Sequence, residues 1–227
     1  MNRSTLLLVV SGLAAAALLL VVLRPDTERS SRLPVVERPT AAASPGDDEV
    51  ARASRDTGIP ARALTAYVDA AERLRESVPG CGLAWNTLAG IGSSESSHGA
   101  FGGARLDDSG VASPRIIGVA LDGTGGNRAI RDTDGGSLDG DTTWDRAVGP
   151  MQFIPTTWER WGESADGGEP DPHDIDDAAL AAGRYLCDAG GDLSTSQGWS
   201  RAVLTYNQNR AYAEKIAQTA STYADQL

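Results

Sequence analysis

Leu83-Ala84-Trp85-Asn86-Thr87-Leu88-Ala89-Gly90-Ile91-Gly92-Ser93-Ser94-Glu95-Ser96-Ser97-His98-Gly99 is the stretch from which the fold is read. Ala84, Leu88, Ile91 and Glu95 stand at i, i+4, i+7 and i+11, which a helix aligns as one stripe. Three of these are apolar, so the stripe faces a core and Glu95 projects from its last turn. Gly99 offers a C-terminal stop. A carboxyl at the rim of an apolar wall is poorly hydrated, which raises its pKa and keeps it protonated near neutral pH. A general acid needs that property. The same residues also suit a plainer arrangement, a glutamate at a frayed helix end bonded to the serines beside it.

Helical patterns extend on both sides. Upstream, the globular part opens at Thr57-Gly58-Ile59-Pro60, where Pro60 suits a first turn. Leu64, Val68, Ala71, Leu74 and Val78 then keep helical period as far as Pro79-Gly80. Downstream, residues 101–146 are crowded with Gly and Asp and interrupted by one apolar run. Ile116, Ile117, Val119 and Leu121 suit a short strand, and Gly123 to Gly126 suit a turn that brings it back as a hairpin. An irregular stretch of this length within a domain is usually functional. Helices resume at Pro155, where Thr156 and Glu159 have capping-box spacing, with Trp158 and Trp161 beyond. Asp174, Asp176 and Asp177 place negative charge at the start of a helix running through Ala178, Ala181, Ala182 and Tyr185 to Cys187. Trp199, Val203 and Tyr206 mark another, and Tyr212, Ile216, Ala220 and Tyr223 the last. The expected fold is mainly α.

The chain's ends and charge bound its setting. Residues 6–23 are almost continuously apolar after Arg3. At ~1.5 Å per residue they span roughly one hydrocarbon core. No small-residue cleavage site precedes Arg24-Pro25-Asp26, so residues 1–23 read as a retained signal-anchor helix. Residues 24–55, with Pro25, Pro34, Pro39 and Pro45, read as a disordered tether, and 56–227 as the domain. Two cysteines, Cys81 and Cys187, downstream of an export signal read as a disulfide; two separate buried thiols are the competing reading. The expected location is therefore extracytoplasmic, with the cytoplasmic membrane as a partner through the N-terminal helix. Against 31 acidic residues stand 20 basic ones, for a net charge of −11, which repels phosphate polymers and excludes nucleic acid as a partner. Five Trp and five Tyr outnumber two Phe, and rings with polar handles suit sugars, although most such rings are ordinary core residues.

Three segments carry the rest: Ile91 to Gly99 with its Glu95-Ser96 pair, Val148-Gly149-Pro150-Met151-Gln152-Phe153-Ile154-Pro155, and Tyr206-Asn207. An E-S pair, a G-x-x-Q-F turn and a Y-N dipeptide, in that order in a helical exported domain, resemble the lysozyme-like lytic murein transglycosylases. The likeness is greatest to the membrane-bound lytic transglycosylase B type and covers residues 58–223. The resemblance implies that Glu95 is the sole catalytic acid and base. It implies that Gln152 bonds the sugar near the scissile bond, with Tyr206 and Asn207 lining the cleft beside the acid. Ser96 belongs to the same motif, and Thr143 aligns loosely with a hydroxyl residue that positions the reacting sugar. The implied substrate is the glycan strand of peptidoglycan, cut between N-acetylmuramic acid and N-acetylglucosamine with formation of a 1,6-anhydro end. No cofactor is implied.

Each residue has a plainer reading as well. Gln152 suits an internally bonded turn, Tyr206 a core position, and His98 a helix end. Residues 166–171 fall where some relatives carry a calcium loop, but they lack the D-x-D-x-D-G pattern, so no metal is expected. Asp107, Asp108 and Asp122 read as solvated loop charges, and residues 101–146 as one wall of the cleft. Two alternative functions remain open: a hydrolytic muramidase on the same fold, or a wall-binding protein without turnover.

Overall fold

The computed structural model of the chain describes residues 34–227. The expected signal-anchor helix and the first part of the tether lie outside the described residues. Among the described ones, no helix is long and apolar enough to cross a membrane.

Seven α-helices carry the described part: α1 (Asp47–Thr57), α2 (Ala61–Ser77), α3 (Trp85–Ser96), α4 (Pro155–Trp161), α5 (Ile175–Gly190), α6 (Ser196–Tyr206) and α7 (Arg210–Asp225). Two small antiparallel pairs lie between α3 and α4: β1 (Arg105–Leu106) with β2 (Ala112–Ser113), and β3 (Ile117–Ala120) with β4 (Arg146–Val148). The mainly helical expectation holds.

Helix α3 is the centre of the molecule. Every residue from Trp85 to Gly92 is buried, so this is a helix hidden on all sides rather than one with a single apolar stripe. Its small residues let neighbours approach. A Cβ on Gly90 would come within 3.2 Å of Ile216 on α7, and one on Gly92 would strike the Tyr67 hydroxyl of α2. The helix stops at Ser97, in the left-handed conformation with φ 52°, and not at the expected Gly99. His98 follows at φ 59°, so the chain turns on two consecutive L-residues. Each costs on the order of 1 kcal/mol, which the bonds of Gly99 N and Ala100 N to Ser96 help to offset.

The disulfide forms: Cys81 and Cys187 join the segment before α3 to the end of α5 across a sequence separation of 106. It therefore closes a long loop around the core, the arrangement in which a cross-link restricts the unfolded chain most.

Three further local expectations need correction. Residues 34–55 are not a disordered tether. Residues 34–46 do lack regular structure, but they lie along the domain: Val36 N donates to Ser200 Oγ at 2.7 Å, and Ser200 Oγ donates back to Val36 O at 2.8 Å. Asn86 and Trp85 bond the carbonyls of Thr40 and Ala43 at 2.7 and 3.0 Å. Helix α1 then forms because Asp47, Asp48 and Glu49 complement its positive end and Gly58 closes it in the left-handed region. Its only buried residue is Ala53, so it left no apolar period to read.

The expected capping box at Thr156 is absent, since Pro155 needs no N–H partner, takes the first helical position and makes Ile154 the N-cap. Strand β3 is not returned by the Gly123 turn. Its partner is β4, with Ile117 opposite Val148 and Ala120 opposite Arg146. The glycine turn closes only the isolated bridge between Asp122 and Ala129.

Helix α5 opens as expected, with the Asp174 carboxylate accepting from Asp176 N at 2.8 Å. Burial, helped by the charges of Asp176 and Asp177, pushes this carboxyl up to about 6. An acid whose folded pKa is raised stabilises most below its unfolded value, near 4, and loses that contribution as pH rises through 6. Asn caps as well as Asp but cannot ionise. Asp174→Asn is therefore expected to stabilise the protein by about 1 kcal/mol at pH 7–8, after allowance for partial solvation. The gain should vanish below pH 4 in thermal melts taken across that range.

Candidate active site

Glu95 sits on the last turn of α3, half-buried, with its Oε1 accepting a 2.5 Å hydrogen bond from the Tyr212 hydroxyl on α7. Burial pushes its carboxyl above the ordinary glutamate value; the Tyr212 bond and the Lys215 ammonium pull it part of the way back. Lys215 is itself held near this turn by a 3.2 Å bond to Ser94 Oγ. The plainer expectation of a frayed glutamate bonded to neighbouring serines is not what forms, because the carboxyl's partner comes from a different helix.

The turn after Glu95 is fixed from two directions. Ser96 is buried; its hydroxyl donates to Pro150 O at 2.6 Å and accepts from Gly99 N at 2.8 Å. Its bonding capacity is thus used in tying α3 to the Gly149–Phe153 turn. His98 is buried between two tyrosines, with Nδ1 3.2 Å from the Tyr67 hydroxyl and Nε2 3.0 Å from that of Tyr223. Burial lowers its pKa to about 4, so near neutral pH the ring is an uncharged link between α2 and α7.

Gln152 lies in the turn at φ 52°. Its side-chain amide donates to Gly149 O at 2.9 Å, and a Cβ on Gly118 would meet its Oε1 at 2.9 Å. The same turn holds Tyr206, whose hydroxyl donates to Met151 O at 2.7 Å. Tyr206 also closes a run of aromatic rings: Trp158 to Phe153, Phe153 to Tyr206, Tyr206 to Tyr185 and Tyr185 to Trp161, with centroids 5.4, 6.0, 5.8 and 5.8 Å apart. Such spacings are those of favourable edge and tilted pairs.

Against these rings opens a cleft of about 640 Å³. One wall is the Gln152 turn with Tyr185, Tyr206 and Asn207; the other comes from the Gly/Asp-rich insert through Leu121, Asn127, Arg128 and Ile130. The structure thus brings Gln152, Tyr206 and Asn207 together. Glu95 is not part of the cleft lining itself. Its neighbour Ser96 bonds Pro150 O and the cleft residue Tyr206 bonds the adjacent Met151 O, which sets Glu95 near the cleft; the Tyr206 phenol is raised first by burial and next by the Glu95 charge. Thr143 is exposed on the insert, its N–H bonded to Asp141 and its carbonyl to Asp132 N, and it does not line the cleft.

Tyr212 is the residue the sequence reading placed only as a helix marker. Burial, followed by the charge of Glu95, raises its pKa far above that of a free phenol, so it remains a hydrogen-bond donor. Because that donor favours the ionised carboxyl, Tyr212→Phe is expected to raise the Glu95 pKa further. Titration of the Glu95 side chain followed by NMR should show its midpoint at higher pH in the variant than in the parent.

Carboxylate oxygens of Asp132, Asp134 and Asp145 lie within 4.8 Å of one another, the one such group among the described residues with spacing suited to a cation. Each already organises the insert: Asp132 accepts from the N–H groups of Gly135 and Gly136, Asp134 from that of Leu138, and buried Asp145 from the N–H and hydroxyl of Thr133. In the 166–177 segment, Asp166 and Asp177 likewise accept from Gly168, Ala165 and Asp171 N–H groups.

Comparison of the chain with protein-family models, with curated proteins and with solved structures finds no match.

Proposed function

We propose that the protein is a lytic transglycosylase of peptidoglycan, built on a lysozyme-like helical domain and cutting the bond between N-acetylmuramic acid and N-acetylglucosamine. The observation that carries this reading is a single half-buried carboxyl with a raised pKa beside a cleft whose lining contains no acid. Retaining and inverting glycosidases need two carboxyl groups at set separations. A site with one suits a reaction in which the nucleophile belongs to the substrate.

In that reaction Glu95 gives its proton to the glycosidic oxygen as the bond from that oxygen to C1 breaks. The resulting carboxylate takes the proton of the muramic acid's C6 hydroxyl as its oxygen bonds to C1. Water is not consumed, and the acid ends in its starting state. The half-buried setting raises the carboxyl's pKa, which favours the protonated form the first step needs, and the Tyr212 donor steadies it when ionised. An intramolecular hydroxyl has a high effective concentration, which offsets its weak nucleophilicity. Gln152 and Asn207 offer neutral hydrogen-bonding groups to the sugar, and Tyr185 and Tyr206 offer ring surface for stacking.

The disulfide fits an oxidising compartment, and together with the apolar N-terminal run it supports an extracytoplasmic, membrane-anchored placement. Digestion of purified sacculi with mass analysis of the products tests the proposal. New ends one water lighter than reducing muramyl ends are expected. Reducing ends alone would assign the protein to hydrolysis, and intact strands that retain bound protein would make it a wall binder.

A further inference from the structure

Arg128 is the only side chain lining the cleft that carries a formal charge at neutral pH. Arg128 is exposed, and what sets it apart from the other exposed arginines is its place in the cleft lining. The insert's other arginines near the cleft are engaged: Arg131 stacks over Trp144 at 4.0 Å, and Arg146 pairs with Asp141 at 2.9 Å. The Arg128 guanidinium makes no ion pair or hydrogen bond among the described residues.

Its backbone is nevertheless fixed. Asp122 accepts from the N–H and hydroxyl of Thr124 at 2.8 and 2.7 Å, Asn127 N donates to Thr124 O at 2.9 Å, and Asp122 bridges Ala129. This compact turn presents Arg128 to the cleft opposite Gln152, Tyr206 and Asn207. An unbonded guanidinium fork on the wall of an acid-free cleft matches a planar carboxylate, to which it can make two parallel hydrogen bonds.

We infer that Arg128 is a specificity residue that pairs with a carboxylate on the substrate. The inference rests on the glycan-strand reading above. In such strands that chemistry has two sources, the free lactyl carboxylate of a muramic acid without its peptide and the carboxylates of the peptide stem. A neutral N-acetylglucosamine oligomer has neither.

The test uses the full chain carrying Glu95→Gln, so that binding is read without turnover. Affinities are measured for chitohexaose, for a stem-free glucosamine–muramic acid oligomer and for the same oligomer with its peptides. Adding Arg128→Gln is expected to weaken the muramic oligomers about tenfold and leave chitohexaose unchanged, with Arg128→Lys in between. Loss already seen with the stem-free oligomer assigns the lactyl carboxylate; loss confined to the peptide-bearing one assigns the stem. Equal affinity of the Arg128→Gln and parent proteins for both muramic oligomers overturns the inference, as does an equal loss for chitohexaose. Because the readout is binding, an Arg128-dependent preference would stand even if the protein with intact Glu95 cut no strand, and the transglycosylase reading alone would then fall.

Discussion

Glu95→Gln is expected to slow the cleavage of glycan strands by at least about a thousandfold while leaving the fold unchanged. The amide has the shape of the acid and still accepts the Tyr212 hydroxyl bond that holds the side chain at 2.5 Å. It has no proton to give to a leaving sugar and no charge with which to take one from a hydroxyl. The cleft lining contains no acidic side chain, so no group there can substitute. Product release from sacculi, measured beside the melting temperature of both proteins, decides the matter. Cleavage by the variant within tenfold of the parent would remove Glu95 from the chemistry.

The largest effect on stability is expected at Gly149. Its φ is +75°, and a Cβ there would lie 1.7 Å from the carbonyl oxygen of Pro172. Neither side can retreat easily. Gly149 N donates to Ile116 O at 2.8 Å, its own carbonyl accepts from Gln152, and on the far side His173 O accepts from Ala112 N at 2.9 Å. Gly149→Ala should therefore cost at least about 4 kcal/mol, a drop of roughly 10 °C in Tm for a domain of this size. Gly125 supplies the comparison: its φ is +61°, but nothing lies within 4 Å of the added atom. Gly125→Ala should cost only about 1 kcal/mol, the conformational penalty alone. Equal melting temperatures for the two variants would refute the steric account.

The two glycines illustrate which parts of the molecule the sequence discloses. Helices α2, α5, α6 and α7 bury long apolar periods, and Leu64, Ala182, Val203 and Ile216 are all inside, as their spacing predicts. Helix α1 has no such period, because its stability comes from end charges and from the docked segment before it. Glu95 was readable from the apolar turns leading to it, and Gln152, Tyr206 and Asn207 from a resemblance. Tyr212 was not. The bond that fixes Glu95 joins residues 117 apart in the chain. Nothing local to either residue announces such a contact. Ser96 carries a different lesson: a hydroxyl near a motif is as easily engaged by the protein's backbone as by a ligand. The strand pairing failed for a related reason, since Ile117 meets Val148 across a long loop while turn chemistry points only to near neighbours.

That pairing of Ile117 with Val148 means that residues 118–147 depart from the helical body and rejoin it at adjacent points. Beyond this pairing the segment meets the main core through Leu138, so chimeras that keep Leu138 and vary the rest in length or composition are expected to hold Glu95 and Tyr212 in register. Since Leu121, Asn127, Arg128 and Ile130 all belong to this segment, the far wall of the cleft is free to diversify, while Glu95 and its Tyr212 bond stay anchored in the helices.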